Sequence, residues 1–421
     1  MKRGAGFFIA LRYLLGRAHE GGRYLRGAVA GIAVSLIPIV VTLIVADGMI
    51  RGITDRYLEL GTGHMQVYNF RNPLEIENAA DTIVSMEGVR GAWAERQGLG
   101  VLVGANGKTG ANIRAVEPSF WLEGGGERFL TVPAGSAELE SDREVLLGED
   151  LAAQLGVSVG DTVRLMTIRV SADGRNIPRL TPFTVKGVVS SGYRELDSLW
   201  CIMTYAMGKR LLAEELSYSY LMVKIDDPYD SADLFSHRIL RALGPGYTVY
   251  TWKELQRSQY SSYESTRQIL LLIMALIVVI AAVNVSSATA MLAIERRRDI
   301  AVLKAFGASP RGTTRIFIWG ALLTGIIGAA IGLSLGLVIG SFINPIVHGL
   351  ESVLSFFSRL FSGTDVKILD PGYYLEQIPI IVDWSAITAI GIFTVVCSVA
   401  ASWLPARRAG KIPPVELLRK Y

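Results

Sequence analysis

The first candidate for chemistry in this chain is the tetrapeptide Asn106-Gly107-Lys108-Thr109, whose Gly-Lys-Thr matches the end of a phosphate-binding loop. A complete loop of this kind also has a glycine five residues before its Gly-Lys, and Leu102 occupies that position. Asn-Gly between two stretches of alternating polarity is instead typical of a β-hairpin turn. The sequence therefore predicts a hairpin here and no nucleotide site.

The other reactive side chains form no recognisable catalytic set. Glu75, Glu77 and Asp81 could share one cleft, but no nucleophile is spaced to pair with them. The four histidines are scattered, and Cys201 and Cys397 are too few for a zinc cluster or a disulfide framework. We therefore expect no catalytic residues, no metal and no cofactor in this chain, and we do not expect an enzyme.

The composition points to a membrane protein. Half of the 421 residues are hydrophobic and only 19% are charged, and the net charge of +4 is too small to suggest nucleic-acid binding. Four stretches have the roughly 20 apolar residues that a membrane-spanning helix needs. The expected fold class is a membrane α-helical protein with four transmembrane helices and a large α+β domain between helices 1 and 2.

These stretches divide the chain into nine segments. The first apolar stretch is longer than the core of a signal peptide and lacks an Ala-x-Ala cleavage site at its end, before Asp47, so we expect an uncleaved anchor. The segments are an amphipathic N-terminal segment 1–26, transmembrane helix 1 at 27–50, the inserted domain 51–267, helix 2 at 268–294, a connecting segment 295–315, helix 3 at 316–347, a short loop 348–379, helix 4 at 380–404 and a tail 405–421.

The distribution of charge predicts the orientation. Lysine and arginine are concentrated before helix 1, in segment 295–315 and in the tail, whereas loop 348–379 is acidic. Cytoplasmic loops carry the excess of basic residues. We therefore expect both termini in the cytoplasm of a bacterial cell, a multi-pass protein of the inner membrane, and the inserted domain outside.

Spacing also predicts how the elements pack. Helix 3 carries a glycine stripe that would allow a second helix to approach closely. In the inserted domain, short alternating runs predict strands, and residues 148–156, 230–243 and 252–268 predict helices, the last of which would run into helix 2. The strand Thr162–Val170 and a strand at 182–190 would be joined by an unusually long loop, 171–181.

Segment 295–310 reads as a short amphipathic helix that ends at a Gly-x-x-Pro sequence. Ile300, Leu303 and Lys304 fall on one side of it, together with Gly307. Such a helix can lie in the lipid headgroup layer or dock on a protein partner, and periodicity does not separate the two. The mixture of acidic and basic residues favours a protein partner.

These residues resemble a known family. Glu-Arg-Arg-Arg-Asp-Ile-Ala-Val-Leu-Lys-Ala-Phe-Gly at 295–307 is similar to the coupling helix of FtsX/MacB-type ABC transporter permeases, and Pro-Ala-Arg-Arg-Ala at 405–409 to their terminal motif. Gly-Glu-Asp-Leu at 148–151 resembles their periplasmic core domain. Within that family, the opening residues, Tyr-Leu-Glu-Gln-Ile-Pro at 374–379 and the 171–181 tip resemble the lipoprotein-releasing LolC/LolE subunits.

The resemblance implies a function and a set of partners. It implies a permease subunit that extracts lipoproteins from the inner membrane and passes them to a LolA-like periplasmic carrier. The ATP and its magnesium would be bound by separate LolD-like ATPase subunits, and a second permease subunit, alike or related, would complete the path alongside membrane lipids.

The resemblance also implies three groups of site residues. The ATPase-coupling group comprises Glu295, Arg298, Asp299, Leu303, Lys304 and Gly307. The carrier-binding hairpin comprises Asp173, Gly174, Arg175, Asn176, Ile177, Pro178 and Arg179. A lipoprotein cavity between helices 1 and 2 would involve Val40, Leu43, Ile44, Met49, Ile269 and Ile273.

Two other functions remain open for the same elements. One is MacB-like efflux of peptides or drugs, and the other is FtsX-like regulation of a cell-wall hydrolase from across the membrane. A hairpin that binds a carrier would distinguish lipoprotein release, because a hydrolase regulator has no use for one.

Overall fold

The computed structural model describes residues 5–15, 21–123, 129–170, 175–361 and 378–411. The chain forms two compact units. A helical unit comprises Met1–Gly48, Tyr263–Phe357 and Ile378–Tyr421, and the inserted unit comprises Met49–Ser262 with Ser358–Gln377.

Within the described ranges, the α-helices and β-strands follow one another in a simple order, with helices at both ends and the strands in the inserted unit. The helices are α1 (Ala5–Leu15), α2 (Gly21–Arg56), α3 (Ala80–Val84), α4 (Ser119–Glu123), α5 (Glu149–Leu155), α6 (Arg194–Asp197), α7 (Tyr205–Leu211), α8 (Ala232–Leu243), α9 (Trp252–Leu255), α10 (Arg257–Glu295), α11 (Arg297–Ala305), α12 (Pro310–Ser341), α13 (Ile343–Phe361) and α14 (Trp384–Lys411). The strands are β1 (Met65–Asn69), β2 (Val89–Val103), β3 (Lys108–Val116), β4 (Thr131–Gly135), β5 (Glu144–Gly148), β6 (Thr162–Val170), β7 (Asn176–Ser190), β8 (Trp200–Thr204), β9 (Ser217–Ile225) and β10 (Tyr247–Thr251).

Four helical stretches of the described chain are long and apolar enough to cross a membrane: Arg23–Thr62, Arg257–Glu295, Pro310–Ser341 and Trp384–Lys411. Each overlaps one of the four predicted spans. The expected fold class, a membrane helical protein with an inserted α+β domain, is therefore confirmed.

The glycine stripe of α12 packs against α2. A Cβ atom on Gly332 would lie 2.8 Å from the carbonyl oxygen of Ala33, and one on Gly336 would lie 2.7 Å from the Cβ of Val40. These distances are shorter than real Cβ contacts, so only glycine permits this approach. The close helix packing that the spacing predicted is confirmed.

Three predicted helix limits differ from the structure. The helix predicted at 252–268 is interrupted at Gln256, whose backbone (φ −104°, ψ 28°) separates α9 from α10. The third span ends at Ser341, and residues up to 347 belong to α13. The fourth helix continues past 404 to Lys411 with Pro405 inside it. Apolarity identifies the membrane-crossing part of a helix, whereas backbone hydrogen bonds determine where the helix ends.

Among the described residues, the inserted unit is built on one ten-stranded mixed sheet. Six strands close into a ring in the order β2-β3-β8-β5-β7-β6, because β6 pairs with both β7 and β2. Leu102, Ile113, Leu147, Phe183 and Cys201 belong to the cluster of buried apolar residues from these strands. A second cluster forms where α3 and α8 cover strands β1, β9 and β10.

The Asn106–Gly107 prediction is confirmed. Strands β2 and β3 pair in antiparallel register up to Val103 opposite Lys108, and Gly107 has a φ of 146°, which few other residues adopt. The Gly-Lys-Thr sequence is therefore part of a hairpin.

Two buried cations hold the end of the first long helix to this sheet. A π-helical turn, Tyr57–Thr62, follows α2. Arg114 donates to both carboxylate oxygens of Glu95 (2.7 and 2.9 Å) and to the carbonyls of Leu60 and Gly61, and Lys224 donates to the carbonyl of Glu59 (2.7 Å). The last carbonyls of a helix lack hydrogen-bond donors within the helix and carry a negative partial charge. The two cations supply these donors and stabilise that charge.

Candidate functional site

The segment between the second and third spans forms the short helix α11 and two sharp bends. The first bend, at Arg296 (φ −88°, ψ 20°), separates α11 from α10. The second ends at Gly307, whose φ of +86° is in the left-handed region, and Ser309 then caps α12 by accepting a hydrogen bond from the Gly312 amide (3.1 Å). The predicted amphipathic helix therefore exists, and its two ends are defined by backbone conformation.

One side of α11 packs into the helical unit. Ile300 and Ala301 are buried, and Ile300 belongs to a cluster with Leu25 of α2 and Ala406 of α14. The Lys304 ammonium donates a 2.8 Å hydrogen bond to the carbonyl of Gly410, near the end of α14. Burial lowers the pKa of Lys304. This side chain therefore faces the protein and holds two helix ends together.

The other predicted coupling residues lie around this buried side. Asp299 pairs with Arg296 (3.3 Å), Leu303 is half-buried, Arg298 and Gly307 are exposed, and Glu295 is the half-buried last residue of α10. The structure brings all six into one short segment. No observation tests their role in coupling, which stays a prediction.

The outward side of α11 carries two apolar residues that the sequence analysis did not select. Val302 is 52% exposed and Phe306 is 88% exposed, one helical turn apart. An apolar pair presented at i and i+4 is the usual anchor of a helix that docks in a groove. Their spacing was readable in the sequence, but only the packing of Ile300 and Ala301 shows which side of α11 faces outward.

The Pro-Ala-Arg-Arg-Ala motif is explained by packing at the end of α14. Ala406, Ala409 and Gly410 are buried, whereas Arg407 and Arg408 are exposed. A Cβ on Gly410 would meet the hydroxyl oxygen of Thr314 and the carbonyl of Pro310 at less than normal contact distances. The small residues therefore allow α14 to lie against the start of α12, directly beside α11.

The prediction of a long loop at residues 171–181 of the inserted unit is wrong. Strand β7 begins at Asn176 and pairs with β6 as far as Asn176 opposite Val170, so residues 171–175 make the connection. Five residues are an ordinary hairpin length. Pro178 and the polar run around it suggested a loop, yet Pro178 sits in the ladder opposite Ile168. Asp173 and Gly174 lie outside the described residues.

This hairpin extends beyond the domain core with exposed side chains on both faces. Directly opposed and alternate residues share a face. One face therefore carries Met166, Ile168, Pro178 and Leu180, all exposed, which makes it apolar. The other face carries Arg169, Ile177 and Arg179. The predicted carrier-binding residues that the structure describes are all exposed: Arg175, Asn176, Ile177, Pro178 and Arg179.

The six predicted cavity residues do not form one surface. Val40, Leu43 and Ile44 are buried within the helical unit, where α12 covers Val40 and Ile44 through its glycines. These three cannot line an open path in this conformation. Ile269 and Ile273 are exposed on α10, and Met49 is half-buried in the inserted unit.

A charged cluster that the sequence analysis missed joins three spans. Arg267 of α10 donates to Asp47 of α2 (3.0 Å) and to Asp383, which precedes α14. In the predicted topology, each of these three residues lies at the end of an apolar stretch on the same side of the membrane. That shared position is the sequence feature from which the cluster could have been predicted.

Beside this cluster, a groove of about 540 Å³ runs between α10 and α14. Arg267 and Asp383 form its polar end, and Leu271, Met274 and Phe393 belong to its apolar wall. An amphiphile with a polar head and an apolar chain matches this arrangement.

Two family models match the chain in succession. The MacB-like periplasmic core domain matches residues 27–236, and the FtsX-like permease C-terminal domain matches residues 271–414. The matched ranges contain the closed strand ring in the first case, and α11, α12 and α14 in the second. Together they account for most of the chain.

Curated relatives match over almost the whole length. The lipoprotein-releasing system transmembrane protein LolC of Neisseria meningitidis serogroup B is 27% identical over 425 residues, and LolC of Xylella fastidiosa is 27% identical over 422 residues; each alignment covers 98% of both chains. LolE of Haemophilus influenzae is 24% identical and covers 68% of this chain and 67% of its own. The chain therefore belongs to the FtsX/MacB-type family of ABC transporter permeases, as the resemblance of its motifs implied.

Proposed function

We propose that this chain is the permease subunit of an ABC transporter that extracts lipoproteins from the inner membrane and passes them to a periplasmic carrier. The observation that carries this proposal is the similarity to LolC proteins along 98% of both chains, which includes the inserted domain and all four spans. Efflux and hydrolase regulation are functions of the same family. The full-length similarity of this chain to a lipoprotein-releasing subunit favours lipoprotein release over both.

Extraction of a lipoprotein requires an external source of energy. Each buried methylene contributes about 0.8 kcal/mol to membrane anchoring, so several acyl chains hold a protein far more strongly than thermal energy can overcome. We propose that separate ATPase subunits supply this energy and bind the ATP and magnesium. In the proposed orientation both termini and α11 face the cytoplasm, where ATP is available, and the inserted unit faces the periplasm.

We propose that the ATPase docks on the outward side of α11. Val302 and Phe306 are presented there, and Ile300 on the buried side of the same helix belongs to a cluster with residues of α2, α10, α12 and α14. A force applied to α11 therefore reaches all four spans through this cluster. Glu295, Arg298 and Asp299 surround this surface and supply charges that fix its register on the partner.

We propose two further contacts for the substrate. The groove between α10 and α14 suits an acyl chain along its apolar wall and a polar head group at Arg267 and Asp383. The apolar face of the β6–β7 hairpin suits a carrier whose own acyl-binding surface must be apolar. A second permease subunit would supply the other side of the path, since an open groove shields a chain on one side only.

Reconstitution tests the function directly. The chain is placed in proteoliposomes with its ATPase and a second permease subunit, a triacylated lipoprotein is added to the bilayer, and a LolA-like carrier is supplied outside. We expect ATP to drive transfer of the lipoprotein to the soluble carrier, and we expect none with the unacylated form of the same protein. ATP-dependent export of a peptide without release of lipoprotein would contradict the proposal, as would activation of a hydrolase alone.

A further inference from the structure

Helix α13 carries a row of exposed apolar side chains outside the four spans. Ile346, Leu350, Val353 and Leu354 are all exposed and fall on one side of the helix, at spacings of three and four residues. The opposite side carries polar residues, with the exposed Phe356 at its edge. It carries the exposed Ser352 and His348, and His348 pairs with Glu351 (3.4 Å).

This row continues the membrane-facing row of the third span without a break. The exposed apolar residues Leu335 and Val338 of α12 and Phe342, which lies between the two helices (φ −102°, ψ 19°), are separated by three and four residues. The next step of four leads to Ile346. Helical hydrogen bonds also cross the junction. The Phe342 amide donates to the Val338 carbonyl (3.3 Å), and the Ile346 amide donates to the Phe342 carbonyl (3.1 Å).

Helices α12 and α13 are together too long for both to cross the bilayer core end to end. At 1.5 Å per residue, α12 and α13 together would extend about 75–80 Å, whereas the hydrocarbon core is about 30 Å thick. A helix with one apolar and one polar side is stable in the plane between lipid tails and head groups.

The start of α13 is held in place within the helical unit. Asn344 donates to the Ile378 carbonyl (3.0 Å) and accepts from the Ile378 amide (3.1 Å). A Cβ on Gly48 of α2 would clash with the carbonyl oxygen of Pro379, the next residue in the chain, so this segment packs tightly against α2. The helix therefore leaves the third span from a fixed point beside the first.

We propose that α13 is an interfacial helix whose apolar row is inserted among membrane lipids on the side where the third and fourth spans are joined. We infer that lipid covers the apolar row of α13, because this row extends the exposed apolar surface of a membrane-spanning helix, α12. The inference concerns this helix alone and does not depend on which substrate the permease moves.

Site-directed fluorescence in lipid nanodiscs tests it on the full chain. Cys201 and Cys397 are replaced, a single cysteine is introduced by Leu350→Cys or Ser352→Cys, and an environment-sensitive nitrobenzoxadiazole label is attached. The nanodiscs contain phosphatidylethanolamine and phosphatidylglycerol with or without nitroxide-labelled acyl chains. Leu335→Cys on α12 serves as the lipid-facing reference, and Ile346→Cys repeats the measurement on the same row.

We expect the label at position 350 to emit at shorter wavelength and to be quenched by nitroxide lipid severalfold more than the label at 352. Aqueous iodide should quench the two labels in the reverse order. A shifted emission at 350 without nitroxide quenching would mean that protein, such as a second copy of the chain, covers the row. Equal quenching by iodide at both positions would mean that water surrounds it. Either result overturns the proposal.

Discussion

At the scale of single residues, the two sides of α11 have different tasks. Lys304 looks like a surface cation in the sequence, but its ammonium is hydrogen-bonded to the Gly410 carbonyl. Phe306 looks like a core residue in the sequence, yet it is 88% exposed. A charged residue near the end of a helix often stabilises that end, and an exposed aromatic residue often anchors a partner.

The first prediction concerns these two residues. Lys304→Met should reduce the free energy of unfolding by about 1 kcal/mol, because it leaves the last turn of α14 without a charged donor. Phe306→Ser should leave thermal stability unchanged and should lower both ATPase binding and ATP-driven transport severalfold. Thermal unfolding in detergent measures the first effect, and co-purification with the ATPase and the transport rate measure the second.

Leu234→Ser on α8, an exposed leucine of the inserted unit, is the matched control for loss of a surface apolar side chain. If Phe306→Ser binds the ATPase as tightly as this control does, the outward side of α11 is not the docking surface. Asp299, which pairs with Arg296, would then be the next residue to replace.

At the scale of elements, the β6–β7 hairpin changes how the carrier hypothesis is best tested. Residues 176–179 are in the ladder opposite β6, so deleting Arg175–Arg179 would remove four residues of a paired strand together with Arg175 of the connection. The β6 residues from Thr167 to Val170 would then lose their paired partners. Substitution of exposed side chains avoids this disruption.

The second prediction follows from the apolar face. Ile168→Ser combined with Leu180→Ser should reduce carrier capture in a pull-down severalfold, with the thermal stability of the domain almost unchanged, because both side chains are exposed. Val132→Ser on β4, another exposed strand position, should not affect capture. Undiminished capture by the double variant would place the carrier surface elsewhere.

At the scale of the whole molecule, the spans are held together by features far apart in the chain. The glycines of α12 pack on α2, the small residues of α14 pack on α12, and Arg267 joins α10 to Asp47 and Asp383. The charged cluster is a specific fastening at one end of the helical unit.

The third prediction is that Arg267→Met destabilises the helical unit by about 1–2 kcal/mol, between the values typical of exposed and fully buried ion pairs. Two carboxylates would lose their cation and repel each other. The variant Arg267→Met with Asp47→Asn should recover part of the loss, since one unpaired charge is then removed. Thermal unfolding of the purified protein in detergent measures both, and equal stability of Arg267→Met and the parent would show that the cluster is not a fastening.

Much of this protein could be read from local pattern. Apolar run length determined the four spans, the Asn106–Gly107 pair determined a hairpin, and the glycine spacing on α12 determined a close helix contact. Each is a property of neighbouring residues, because membrane insertion, turn conformation and helix periodicity act over one to twenty residues.

Tertiary structure alone decided which residues face outward. It showed that Val40 and Ile44 are covered by α12, that the Lys304 ammonium is hydrogen-bonded within the protein, and that Val302 and Phe306 are exposed. It also extended β7 through the residues predicted as a loop and joined Asp47, Arg267 and Asp383, which are up to 336 residues apart in the sequence. Burial and ion pairing depend on which distant segment covers a side chain, and no local pattern of residue types contains that information.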